Sequence, residues 1–263
     1  TTVALRTAFS LARRIGCSVG VLHVGPVGGA TMDEQELRDA VAPFADLAPW
    51  SVDVVDGDDP AAVIVAEADT RAAIVCVPTR GRRALSAVLF GSVAEAVVRS
   101  SRRPTLCLGP RVEHVPLADE AVEILVCTDD SPASPVVFDA AAAFASAAGA
   151  SCVVAQVVGP DEEVGPPGAP PPRPLGDRAE QHTAEGAAYL TSRGAPAASM
   201  VLPGGAARSL VSYARRASTG FIVVGTTGLT GVSRVTLGSV AADVVRNAPC
   251  PVLVVPTRDA GTG

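Results

Sequence analysis

The sequence predicts an α/β protein built of two tandem, doubly wound parallel-sheet domains, and three observations predict it. Short apolar runs rich in Val and Ile alternate with longer Ala-rich stretches of helical character, the pattern of buried strands packed under crossover helices. That order of elements can be read twice along the 263 residues, which marks an internal repeat. Hydrophobic residues make up 48% of the chain and aromatic residues only 3%. The core is therefore built from Ala, Val, Leu and Ile, side chains that suit strands covered by closely packed helices.

The second half shows the order most clearly. VEILVC (Val122 to Cys127) reads as a buried strand, and Ser134 to Ala148 as an Ala-rich helix closed by Gly149 as its C-cap. SCVVAQVV is a second strand. The Pro-rich stretch GPDEEVGPPGAPPPRPLG then reads as a mobile loop. A helix from about Asp177 to Arg193 follows, then a strand in SMVLPG, a helix in AARSLVSYARRA and a strand in FIVVG. A glycine-rich loop, a helix and a last strand, PVLVVP, complete the repeat.

The first half matches at a nearly constant offset. LARRIGCSVGVLHV parallels FASAAGASCVVAQVV, and PTRGRRALSAVLFGSVAEAVVRSSRRPTLCLG parallels the glycine loop and its sequel. The domains are expected at residues 1–110 and 121–263, joined near Gly109 to Glu120. The first repeat begins at its first helix, and the counterpart of VEILVC does not precede Thr1. In a doubly wound sheet that strand is central, so two inner edges are expected to face each other unpaired. With Thr rather than Met at position 1, the native polypeptide is expected to begin earlier. A strand supplied from elsewhere is the alternative.

Composition excludes several function classes. No apolar run approaches 18 residues, so no transmembrane helix is expected, and the start has no signal-peptide pattern. The net charge of −6 argues against nucleic-acid binding. All 21 basic residues are Arg, so a Walker-type phosphate loop, which needs Lys, is excluded. The six Cys contain no C-x-x-C, and the three His lie far apart. Buried, reduced thiols in a cytoplasmic protein are expected, without a metal site.

GTTGLTGVSRVTLGSV (Gly225 to Val240) lies between the strand FIVV and the helix that follows. Gly225 and Gly228 allow a tight turn at the strand's carboxyl end. Gly238 and Ser239 fall where the next helix starts, with its unpaired N–H groups and positive dipole end. These are the parts of a phosphate cradle. They are also what an ordinary turn and N-cap require.

The spacing Gly225-x2-Gly228-x9-Gly238-Ser239, with the ending NAPCPVLVVP, resembles the nucleotide-binding members of the universal stress protein family over essentially the whole chain. The resemblance implies two Rossmann-like (flavodoxin-like) domains related by a pseudo-two-fold axis. They would pair through their last strands, here TLCLG and PVLVV. It further implies ATP, with or without Mg²⁺, as the ligand of the second domain. Thr128 and Asp129 would lie near the nucleoside, Val157 beside adenine, and Gly225, Gly228, Gly238, Ser239 and Val240 along the phosphates. Asp129 also reads as a helix cap, Val157 as core, and Asp129 with Asp130 as either a Mg²⁺ site or a polar turn.

The first repeat departs from the pattern. Pro78 replaces the first glycine, while Gly81, Gly91 and Ser92 remain, and Arg80, Arg82 and Arg83 crowd the loop. Proline removes an N–H, so this repeat is expected to bind nucleotide weakly or not at all. No catalytic constellation appears: there is no G-x-S-x-G elbow and no His near the glycine loop. The readings that stand are an adenine-nucleotide-binding stress or signalling module with an unidentified protein partner, a slow ATPase, and an interaction module without nucleotide. A homodimer of chains is left open.

Overall fold

The computed structural model describes residues 2–28, 32–79, 91–117, 119–159, 175–226 and 237–257. The Pro-rich stretch 160–174, Gly228, Gly81 and Arg80, Arg82 and Arg83 lie outside these. The elements run α1 (Thr2–Ile15), β1 (Val19–Gly25), α2 (Glu34–Val41), β2 (Trp50–Asp56), α3 (Pro60–Thr70), β3 (Val75–Pro78), α4 (Ser92–Ser100) and β4 (Thr105–Leu108). The second repeat follows with β5 (Glu123–Thr128), α5 (Ser134–Ala148), β6 (Ser151–Val158), α6 (Leu175–Ser192), β7 (Ala197–Pro203), α7 (Ala206–Arg216), β8 (Phe221–Gly225), α8 (Ser239–Asn247) and β9 (Val252–Val255).

Local chemistry fixes several of these ends. Asp33 and Glu36 form a reciprocal capping box at the start of α2. Asp59 accepts from the amides of Ala61 and Ala62, and Pro60 opens α3. Gly149 takes φ 60° and returns its N–H to α5, the left-handed C-cap expected of it. Ile124, Leu125 and Val126 of β5 are fully buried, because helices cover both faces of that strand.

Seven strands form one sheet in the order β3-β4-β9-β8-β5-β6-β7. Every pair is parallel except β4 and β9, which run antiparallel. Thr105 faces Val254, Leu106 faces Leu253 and Cys107 faces Val252. Thr105 corresponds to Val252 and Cys107 to Val254 in the repeat, so the ladder maps onto itself about the Leu106–Leu253 pair. This is the pseudo-two-fold pairing of last strands that the family resemblance implies, and it joins the repeats into one sheet. One face is packed by a cluster that includes Phe138, Phe144 and Leu190, with Leu11 of α1. The other is packed by Val98, Leu210, Ala214, Val244 and Val245.

The second repeat forms the complete doubly wound unit expected of it. The first differs: β1 and β2 form a separate two-stranded parallel sheet, with its own core of Leu5, Phe9, Leu37, Val41, Phe44 and Val52. The reason is visible in the repeat. β5 bonds to both β6 and β8, and among the described residues no strand does so between β1 and β3. Arg14 ties α1 to the join, donating to the carbonyls of Leu117, Glu120 and Ala148 at 2.6, 2.5 and 3.2 Å. No described helix is long and apolar enough to cross a membrane. The described cysteines are all free thiols, and burial pushes Cys76 and Cys250 up to about 12, which keeps them protonated and unreactive.

Gly109 brings β4 against the other repeat's α8. A Cβ there would lie 1.9 Å from the Val245 carbonyl oxygen. Gly109→Ala is expected to lower the unfolding free energy by about 1–3 kcal/mol, read as a lower urea midpoint. Gly176→Ala, in α6 with nothing within 4 Å of an added Cβ, should be neutral or gain up to about 1 kcal/mol. Equal midpoints for the two variants would refute the close approach.

Candidate functional site

In the second repeat the chain runs outward from β5 to β6 and β7, then crosses back to β8 and β9. The strand order therefore reverses between β5 and β8. A crevice at the carboxyl ends of the strands opens at such a switch point. The residues singled out in the sequence collect there: Thr128 and Asp129 after β5, Val157 near the end of β6, Gly225 at the end of β8, and Gly238, Ser239 and Val240 at the start of α8.

The end of β8 is pinned before the loop departs. Thr226 is buried, and its N–H donates to Val255 at 2.9 Å. Its hydroxyl meets that of Thr257 at 3.0 Å and accepts from the Thr257 amide at 3.0 Å. The chain then returns to the same residue, for the Gly238 amide donates to the Thr226 carbonyl at 2.8 Å. Residues 227–236, Gly228 among them, lie outside the described residues. Gly238 is the N-cap of α8 with φ −55° and ψ 148°, and it supplies no side-chain cap. Ser239 and Val240 are exposed, Val240 at 43%. The first turn of α8 thus faces outward at the switch point, where a helix attracts an anion.

On the other side of the switch point, the Asp129 carboxylate accepts from the Ser131 amide at 3.2 Å. It does not cap α5, whose N-cap is Ala133 with no side-chain bond. Val157 is half-buried and packs, like Cys127, against the cluster on the α7–α8 face. Strand alternation puts Thr128 on the opposite, α5–α6 face. Its hydroxyl is taken up there by Ser134 Oγ and His182 Nε2, each at 2.9 Å.

His182 was not legible as a site residue, because it stands 54 positions from Thr128 in the chain. Its Nδ1 lies 3.1 Å from Asp130 Oδ1, while Arg178 Nε donates to Asp130 Oδ2 at 2.6 Å. Both carboxylate oxygens of Asp130 are therefore engaged from α6, and Asp130 itself holds φ 58°. The expectation that Asp129 and Asp130 act together on Mg²⁺ meets two carboxylates turned to different partners. Among the described residues no group of three or more His, Cys, Asp or Glu could hold a metal. Thr226 and Thr257 were also missed. A signal for Thr226 existed, since Thr79 stands at the same place in the first repeat.

The first repeat closes its loop the same way. The Thr79 amide donates to Leu108 at 2.9 Å, and the Gly91 amide donates to the Thr79 carbonyl at 2.6 Å. Gly91 caps α4 with φ −63° and ψ 144°, again without a side-chain bond. Pro78 pairs with Leu108 at the end of β3 and leaves this closure intact.

A sequence profile of the Universal stress protein family matches the chain twice, over residues 1–109 and 123–256. Over 55 residues, 21% of its length, the chain is 51% identical to Universal stress protein MJ0531 of Methanocaldococcus jannaschii. That match spans only 32% of the relative. A solved universal stress protein from Archaeoglobus fulgidus superposes with a TM-score of 0.67 at 17% identity, covering 97% of this chain and 93% of that one. The functionally unknown protein PA1789 of Pseudomonas aeruginosa superposes at 0.62 with 16% identity, over 93% and 84%. At these identities the superpositions show the fold.

The α6 contacts can be ranked by burial. His182 has a side chain 15% exposed and makes two bonds, whereas Arg178 is 67% exposed. His182→Ala is expected to lower the unfolding free energy by about 1–2 kcal/mol and to speed amide exchange in α6. Arg178→Ala should cost no more than about 0.5 kcal/mol. Equal losses would show that the exposed ion pair, not the imidazole, holds α6.

Proposed function

Because the chain belongs to the universal stress protein family, we propose that its second domain, residues 121–263, is an ATP-binding module that serves stress response or signalling. One observation carries this reading: the outward-facing first turn of α8, led by Gly238 and Ser239, stands across the β5–β8 switch point from Asp129. The phosphates lie along Gly225, Gly228, Gly238, Ser239 and Val240, taking amide donors from a helix start that has no side chain of its own in the way. Asp129 accepts from a ribose hydroxyl, and Thr128 contributes through its backbone. Val157, on the α7–α8 face, backs the adenine. Mg²⁺, where it accompanies the nucleotide, is carried by the phosphates and Asp129, since Asp130 is held by α6.

The module binds rather than turns over. Arg178, His182 and Asp130 form the one titratable cluster described near the site, and they hold α6 on the face away from α8. A protein partner reads the nucleotide state, and the free thiols suit a reducing cytoplasm. The first domain, residues 1–110, carries Pro78 in place of the first glycine and binds nucleotide weakly or not at all.

Gly238→Val tests this reading cleanly. The φ and ψ of Gly238 are open to any residue, so the fold should survive with its melting temperature nearly unchanged. The branched side chain would occupy the space of the phosphate. Calorimetry should show ATP affinity falling by at least about tenfold, or 1.4 kcal/mol, and co-purified nucleotide should drop from one per chain to none by mass spectrometry. Unchanged affinity in a folded variant would sink the proposal and favour an interaction module without nucleotide.

A further inference from the structure

One imidazole holds the residues on either side of Asp129. His182 Nε2 stands 2.9 Å from the hydroxyl of Thr128, and its Nδ1 stands 3.1 Å from Oδ1 of Asp130. These partners assign the ring. Nδ1–H donates to the Asp130 carboxylate, which leaves Nε2 to accept from the Thr128 hydroxyl. The Thr128 oxygen then accepts from Ser134 Oγ at 2.9 Å and from the Asp130 amide at 3.4 Å, so its one donor and both lone pairs are used. The side chains of His182 and Asp130 are only 15% and 22% exposed, so water competes little for these bonds.

The turn so held is one that needs holding. Asp130 takes φ 58°, a left-handed conformation that residues other than glycine adopt at a cost. Asp129 lies just before it, outside any helix or strand, and its carboxylate accepts from the Ser131 amide at 3.2 Å. The seat of the imidazole is set by a close helix contact. Gly186, one turn further along the same face of α6, is buried, and a Cβ there would lie 2.7 Å from the ring of Phe138 in α5. That ring also stands 5.7 Å, centroid to centroid, from the ring of His182. α6 thus approaches α5 as nearly as a glycine allows and lays the imidazole over the end of β5.

We propose that His182 is a positioning residue for the nucleoside half of the site: by clamping Thr128 and Asp130 it fixes the turn that presents Asp129 to a ribose hydroxyl. This rests on the reading of Asp129 given under the proposed function. An acceptor discriminates a sugar hydroxyl only when it is held within about half an ångström of its productive place by groups that are themselves locked. Asp129 takes no such support from a regular element, so its neighbours supply it. The imidazole suits the task because one rigid ring reaches a hydroxyl and a carboxylate at once. The phosphate side is anchored separately, through Thr226, Thr257 and the Gly238 amide. The clamp therefore acts on one half of the ligand and not on the other.

The test uses the full chain, first without ligand and then with ATP and inorganic tripolyphosphate as two probes. In the ligand-free chain, His182→Ala should speed amide exchange at Asp130 and Ser131 by about tenfold. By calorimetry its ATP affinity should fall by about tenfold, while that of tripolyphosphate, which meets only the α8 side, should stay within about twofold. Asp130→Gly keeps the left-handed turn but removes the carboxylate, and it should reproduce the split. His182→Asn, whose amide donates to Asp130 from the place of Nδ1, should restore part of the ATP affinity. Unchanged exchange at Asp130 and Ser131, or equal losses for both probes, would overturn the proposal and leave His182 a packing contact of α6. If the unaltered chain bound no ATP, the nucleotide reading itself would fall and the clamp would lose its role, whatever the exchange rates show.

Discussion

The antiparallel ladder between β4 and β9 is the constraint on which the large sheet depends. A doubly wound sheet built only from its own repeat ends in exposed edge strands, and an exposed edge invites further pairing. Here each repeat's last strand covers the other's. The ladder is only three residue pairs long, so its register is set by burial more than by length. Leu106 and Leu253 face each other at its centre, at 0% and 1% exposure. A slip by one residue would turn both toward the wrong face. The close approach of Gly109 to the Val245 carbonyl is a consequence of the same pairing.

That ladder also decides which core each element joins. β3, α4 and β4 come from the first repeat, yet Val77, Val98 and Cys107 pack with Leu210, Val244 and Ile222 of the second. The front half of the first repeat is left to pack on itself. α1 bridges the two parts, through Leu11 on one side and Phe9 on the other, with Arg14 gripping three carbonyls around the join. The molecule is thus divided across a repeat and not between repeats.

What could be read from the sequence was whatever depends on local pattern. The limits of α5, β6 and β8 and the Gly149 cap follow from periodicity, turn chemistry and the repeat, and the pairing of the last strands from the family resemblance. The motif glycines follow from a spacing that is contiguous in the chain, and Asp129 from the family resemblance. His182 could not be found this way. It meets Thr128 only because a long connection brings α6 back over the end of β5, and no spacing rule spans 54 residues. Asp129 as a helix cap was a fair local reading, but its carboxylate turns to the Ser131 amide one turn earlier than α5 begins.

The two repeats share their loop closure and differ in what surrounds it. Thr79 and Gly91 repeat the bonds of Thr226 and Gly238 almost atom for atom. A crevice at a switch point, however, has three walls. In the second repeat β8 brings the glycines, β6 the apolar Val157, and β5 the carboxylate of Asp129. In the first, β3 and β1 bring their walls, with Val24 standing where Val157 does, and the middle wall belongs to the gap between them. Loop closure is therefore common to both repeats, and what surrounds it is where they differ. In the second repeat β5 closes the sheet and delivers Asp129 beside the loop in the same step.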